Sequence, residues 1–134
     1  MIFEGKIKVK KTNEKGKEKT YIEHYVIENE ELFASAEYKL MEQYNGECEV
    51  THIAKSSIRE IVNQKEEDKP FFKAVIISIY TTDDGNEKEL TYPVLICAKD
   101  MTEANKLIKE YMLGIADMSP KLKEIKETKI IDVL

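Results

Sequence analysis

Apolar and polar residues alternate with period two at the start of the chain. Phe3, Gly5, Ile7 and Val9 form one row, and Glu4, Lys6, Lys8 and Lys10 form the other. That pattern predicts a half-buried strand with one wet face. A turn follows around Asn13–Gly16, where Gly16 supplies the positive φ that a tight hairpin asks for. Lys19–Ile27 then resumes as a strand rich in tyrosine and β-branched residues. From Glu30 the period becomes helical, with Phe33, Ala36, Leu40 and Tyr44 on one stripe, and Asn45 and Gly46 close the helix. Glu49–Ile53 and Ser57–Val62 read as extended segments, and the mostly charged Asn63–Lys69 as a connector.

The same order then returns. Phe71–Tyr80 reads as a strand that is apolar on both faces, with Val75, Ile77 and Ile79 where the first pass has Lys6, Lys8 and Lys10. Asp84 and Gly85 mark a hairpin turn, and Leu90–Cys97 returns, its Pro93 predicting an edge or a bulge. Asp100 and Glu103 have capping-box spacing. Ala104, Leu107, Ile108, Tyr111 and Met112 form the next stripe, Gly114 ends it, and Lys129–Leu134 is a closing strand. Phe3, Ile7, Gly16 and Ile27 answer to Phe72, Ile76, Gly85 and Ile96. Phe33, Ala36, Leu40 and Tyr44 answer to Met101, Ala104, Ile108 and Met112, and Ile53, Ser56, Ile58 and Ile61 to Ile125, Thr128, Ile130 and Val133. The alignment shifts only where loops would lie.

The chain is therefore expected to be α+β, a tandem duplication of a strand–strand–helix–strand unit. About six strands would form a mainly antiparallel sheet with two helices packed on one face, related by a pseudo-two-fold. The expected boundaries are 1–62 for the first repeat, 63–69 for a linker and 70–134 for the second. Repeats of this size are marginal alone, so one shared core is expected.

Composition narrows the class. Of 134 residues, 35% are charged and 42% hydrophobic, with a net charge of −5, as in a soluble globular chain. No run approaches the roughly 18 apolar residues of a membrane span, and the first residues lack a secretory apolar segment. Cys48 and Cys97 fall at non-equivalent places, which favours free thiols and a cytoplasmic setting. Charge is uneven: residues 1–20 hold seven lysines against three glutamates, while the whole chain is acidic. A basic hairpin on an acidic body steers polyanions, although edge lysines also serve to block strand pairing.

Catalytic chemistry finds little support. His24, His52 and Cys48 lack the short spacings of zinc motifs, so no metal and no cofactor are expected. Ser56 and Ser57 lie beside no nucleophile elbow, and no glycine-rich phosphate loop precedes a helix. The carboxylates near the first helix and in the connector suit dipole complementarity and solvation. The expectation is a binding protein, not an enzyme.

Several short motifs occur in a suggestive order: Phe3-x-Gly5-Lys6-x-Lys8, Ala36-Glu37, Phe72-Lys73-Ala74, Met101-Thr102-Glu103-Ala104 and Glu127-Thr128-Lys129-Ile130-Ile131-Asp132-Val133. Together they resemble domain-of-unknown-function family 4494 over essentially the whole chain. The resemblance implies a protein of gut bacteria, their mobile elements and their phages, and it brings no established activity and no catalytic residues.

Three binding readings follow. In the first, Lys6, Lys8, Lys10 and Lys11 track the backbone of single-stranded nucleic acid while Tyr21 and Tyr25 stack bases. In the second, Val75, Ile77 and Ile79 form an apolar face that meets a protein partner, as in an inhibitor, adaptor or host-takeover factor. In the third, the same face makes a homodimer. The first is favoured, as an accessory role in phage or mobile-element nucleic-acid transactions.

Overall fold

The computed structural model describes residues 1–115 and 118–134. Ten elements follow in order: β1 (Phe3–Thr12), β2 (Glu18–Ile27), α1 (Phe33–Glu42), β3 (Glu49–Lys55), β4 (Glu60–Ile61), β5 (Phe71–Thr81), β6 (Glu87–Cys97), α2 (Met101–Leu113), β7 (Met118–Glu127) and β8 (Ile130–Val133). The fold is α+β, with two mixed four-stranded sheets ordered β3-β1-β2-β8 and β4-β6-β5-β7. The chain divides into two compact units. One comprises Met1–Ser56 with Lys129–Leu134, and the other is the continuous stretch Ser57–Thr128.

In the first unit β1 and β2 form the expected hairpin, with Gly16 at φ 75° in its turn. Phe3, Ile7 and Val9 bury one face with Tyr25 and Ile27, and α1 seals it with Ala36 and Leu40. Gly5 lies under that helix. A Cβ there would sit 2.4 Å from Leu40 Cδ1, so the close approach of α1 depends on the missing side chain. The helix is shorter than its stripe, ending at Glu42, and Tyr44 reaches the core from the following turn, which Gly46 at φ 83° completes.

The second unit repeats the plan. Phe72, Ala74 and Ile76 on β5 meet Val94 and Ile96 on β6 beneath Ala104 and Ile108 of α2. Half of the capping box forms: the Asp100 carboxylate accepts from the Glu103 amide at 2.8 Å, while the Glu103 carboxylate reaches past the Asp100 amide and accepts from that of Lys99. Pro93 stands in an interior strand, not an edge. Its carbonyl accepts from Arg59 on the β4 side, so its missing N–H faces that side too. There the neighbouring strand among the described residues is the two-residue β4.

β7 is the element the pattern hides. Leu122 and Ile125 both enter the core, a spacing of three that no flat strand allows. A register shift at Val75/Ile76 absorbs the extra residue. β3 does the same, since Val50 and Ile53 both pack inward across a shift at Lys6/Ile7.

The compact units do not follow the expected boundaries, because the closing segments are exchanged. β8 pairs in parallel with β2, and β4 in parallel with β6. Connector length gives the reason. β7 ends at Glu127, level with Phe72 and Ile96, whereas a closing strand beside β6 begins level with Val94. That slot is three strand spacings across and two residues back, about 16 Å away. The three peptide steps from Glu127 to Ile130 reach about 10 Å. The stretch expected as a linker is likewise built into the second unit. The Asn63 side chain accepts from the Cys97 amide at 2.9 Å and donates to its carbonyl at 2.8 Å. No helix among the described residues is long and apolar enough to cross a membrane.

Candidate functional site

With α1 covering one face of the first sheet, the alternation along β1 sends Glu4, Lys6, Lys8 and Lys10 to the other. Lys6, Lys8 and Lys10 are exposed and stand about 7 Å apart along the strand. Among the described residues none of the three joins an ion pair. Register places His24 and His52 on either side of Lys6, Ile22 and Glu49 on either side of Lys8, and Thr20 beside Lys10. His24 Nε2 lies 3.1 Å from Glu4 Oε1, and the Ser56 hydroxyl donates to Glu4 Oε2 at 2.5 Å. His52 and Ile22 are exposed. The surface is a cationic row bracketed by two imidazoles, with an aliphatic side chain between.

The remaining residues of the expected set sit on the helix side. Lys11, one residue beyond Lys10, points the other way and donates to Glu23 Oε2 at 3.1 Å. Tyr25 OH and Tyr44 OH both donate to Glu23 Oε1, at 3.0 and 2.5 Å. The Lys11 ammonium is 5.1 Å from the Tyr44 ring centroid and 6.0 Å from that of Tyr21. Tyr25 is 5% exposed and belongs to the core, so it is closed to base stacking, while Tyr21 is exposed on the helix side. The lysine row and the two tyrosines therefore do not form one surface.

Glu23 is the buried charge that the alternation carries inward. Burial pushes its carboxyl up, yet the bonds from Tyr44, Lys11 and Tyr25 outweigh that and hold it below the ordinary carboxylate value. Burial and the Glu23 carboxylate together push the Tyr25 and Tyr44 hydroxyls up. Bonds to Tyr44 and Glu23 push the Lys11 ammonium up. Burial, then the Glu23 charge, pushes the Cys48 thiol up. Each shift favours a fixed charge state at neutral pH, so the cluster acts as a structural clasp and not as an acid–base pair.

Beside the lysine row, Lys8, Lys10, Glu47, Cys48 and Glu49 line an open hollow of about 530 Å³. In the second unit Val75, Ile77 and Ile79 occupy the β5 face away from α2, and each is half-buried. They stand opposite Pro93, Thr91 and Glu89. A second hollow of about 480 Å³ is lined by Lys109, Met112, Leu113, Ile115 and Pro120. The Arg59 guanidinium lies 4.3 Å from the Tyr92 ring centroid, Tyr92 and Ser78 share a buried hydrogen bond, and Tyr111 donates to Glu60. Among the described residues no three His, Cys, Asp or Glu side chains are placed to hold a metal ion.

Sequence reasoning missed the clasp, although its signal is present. Glu23 falls on the inward phase of β2, with Tyr25 and Ile27, where a carboxylate needs partners. The bracketing of Lys6 by two histidines had no local signal, because it depends on register between strands distant in sequence.

Over residues 1–134 the chain matches the model of the family Domain of unknown function (DUF4494), and it belongs to that family. No curated protein and no solved structure matches it.

Proposed function

We propose that this DUF4494 domain is a non-enzymatic module that binds single-stranded nucleic acid on the open face of its first sheet. The observation that carries the reading is the row of Lys6, Lys8 and Lys10, exposed and without ion pairs among the described residues. An extended polyanion laid along the Lys6–Lys10 stretch of β1 meets a positive charge at every second residue. His52, exposed beside Lys6, takes the stacking role expected of the tyrosines, since imidazole rings also serve as base platforms. The module acts in the cytoplasm of a cell or of an infected host, a setting that suits the two free cysteines. Its role is accessory, in the nucleic-acid transactions of phages or mobile elements.

Fluorescence anisotropy with labelled oligonucleotides tests this. Three neutralised phosphates on a single strand give a log–log salt slope of about −2, or roughly a twentyfold loss of affinity between 50 and 200 mM salt. Lys6→Glu, Lys8→Glu and Lys10→Glu together abolish binding. Flat titrations into the micromolar range, or binding indifferent to salt, refute the proposal. A protein-contact reading draws on the half-exposed Val75, Ile77 and Ile79. Light scattering that gives twice the chain mass, reduced to the monomer by Ile77→Asp, favours it.

A further inference from the structure

We infer that the hollow beside Lys8 and Lys10 is a nucleotide subsite that selects bases carrying an exocyclic amine, an inference that rests on the lysine-face reading and adds base preference to it. The hollow arises from register. Pairing between β1 and β3 stops at Lys8 and Glu49, while β1 continues to Thr12 against β2 alone. The edge of β1 beside Lys10 is thus left open, and the chain at Glu47 and Cys48 bends around it. Its volume of about 530 Å³ falls within the range of small-molecule sites, roughly 300–1,000 Å³.

The lining is chemically divided. Lys8 and Lys10 continue the phosphate row into the hollow. Glu47 and Glu49 are exposed, and among the described residues neither holds an ion pair or a side-chain hydrogen bond. Lys8 and Glu49 face each other across the strand pair without closing into a salt bridge. Opposite charges left apart around one hollow fit a ligand that brings both signs, an anionic phosphate and a base that donates hydrogen bonds. Cys48 is half-buried against the core, and its neutral, polarizable thiol makes a floor for a base ring.

Ionised carboxylates only accept, so the hollow distinguishes base edges. Cytosine offers its N4 amine, the donor that Glu and Asp accept from. Thymine presents carbonyl oxygen at the same position and donates only through N3–H, which lies between two carbonyl oxygens that a carboxylate repels. Oligo-dC and oligo-dT isolate this difference, because both are flexible pyrimidine strands.

The experiment uses the full chain at pH 7.5 with labelled oligo-dC and oligo-dT of equal length, titrated at 50 and 200 mM salt. The expected result is five- to tenfold tighter binding of oligo-dC with the same salt slope for both. Glu47→Ala with Glu49→Ala brings the two within twofold, because oligo-dC loses its acceptors while both strands gain from the removal of two carboxylates beside the phosphate row. Equal affinities in the unaltered protein overturn the subsite and leave the lysine face standing. A preference that survives the double variant also overturns it, because the discriminating groups then lie elsewhere. Failure of both oligonucleotides to bind removes the lysine-face reading and the subsite with it.

Discussion

Glu23→Gln separates the clasp from the rest of the first unit. The glutamine keeps an oxygen for Tyr25 and Tyr44 but removes the charge, and its amide turns a donor toward the Lys11 ammonium. Hydrogen bonds to a charged group contribute about 1.5–3 kcal/mol and neutral ones about 1 kcal/mol. Two weakened tyrosine bonds therefore cost roughly 1–4 kcal/mol. The Lys11 contact adds little, because its side chain is 44% exposed and exposed pairs are worth about 0–1 kcal/mol. The expected loss at pH 7 is about 2 kcal/mol, read as a lower urea midpoint with unchanged slope. The pH dependence carries the stronger test. A carboxyl whose folded value is depressed contributes stability that is fully present above its unfolded value of about 4.3. That stability is lost as pH falls through the lower folded value. The gap between the unaltered protein and Glu23→Gln should be widest at pH 7 and narrow steadily below pH 4. Comparing the two chains cancels the contributions of Glu30 and Asp84, whose carboxyls also sit low because of hydrogen bonds from Lys39 and from Thr82. Urea titrations followed by tyrosine fluorescence at pH 7, 5, 4 and 3 measure it. A gap that stays constant across that series, or one below about 0.5 kcal/mol at pH 7, refutes the account of Glu23 as an ionised, bonded clasp.

Gly5→Ala should destabilise by about 1–3 kcal/mol, because its Cβ overpacks against the buried Leu40. Adding Leu40→Ile, which copies the Ala74 and Ile108 combination of the second unit, should recover part of that in thermal melts. The triple glutamate variant of Lys6, Lys8 and Lys10 should lose oligonucleotide binding yet shift stability by less than about 0.5 kcal/mol, since all three residues are exposed. Ile130→Ala, at a 5% exposed position on β8, should cost about 2–5 kcal/mol. By hydrogen exchange the lost protection should centre on β1 and β2; protection unchanged there would contradict the place of β8 in the first unit.

Hairpins and helices were legible because their signals are local. Alternation along Phe3–Lys10, glycines at the two turns, the stripes ending in Tyr44 and Met112, and the Asp100–Glu103 box each act within a few residues. β7 was not legible, because its bulge places Leu122 and Ile125 on one side and breaks period two. The exchange of closing strands was hidden for another reason. Alternation tells which face of a strand is buried but not which sheet the strand joins, and that choice depends on connector reach. For the site, the exposed lysine row followed from the same alternation that buried Ile7 and Val9. Grouping Lys11 with that row ignored parity, since an odd step along a strand reverses the face. Tyr21 and Tyr25 share the parity of Val9 and Gly5 through their register partners, which put them opposite Lys8 and Lys10.

The two units share a strand order yet treat their hairpins differently, and the clasp connects this difference to the lysine face. Where the first unit points Glu23 inward, the second has Tyr92, bonded to Ser78 under the Arg59 guanidinium. Where the first points Lys6, Lys8 and Lys10 outward, the second has Val75, Ile77 and Ile79. A strand bearing three unpaired like charges on one side repels itself, and β1 extends past the end of β3 with β2 as its only partner there. That distal stretch needs an anchor from the opposite face. Lys11 adds a weak one to the β2 ladder: its half-exposed side chain sets the ammonium against Glu23 beside the Tyr44 ring, one residue from Lys10. Glu23 is held in turn by a tyrosine from β2 and another from the turn after α1. The inward cluster therefore braces β2 directly and reaches the strand of the outward row through the Lys11 contact. Loosening it with Glu23→Gln should weaken oligonucleotide binding modestly while leaving the salt slope intact, because no phosphate-contacting lysine has been removed.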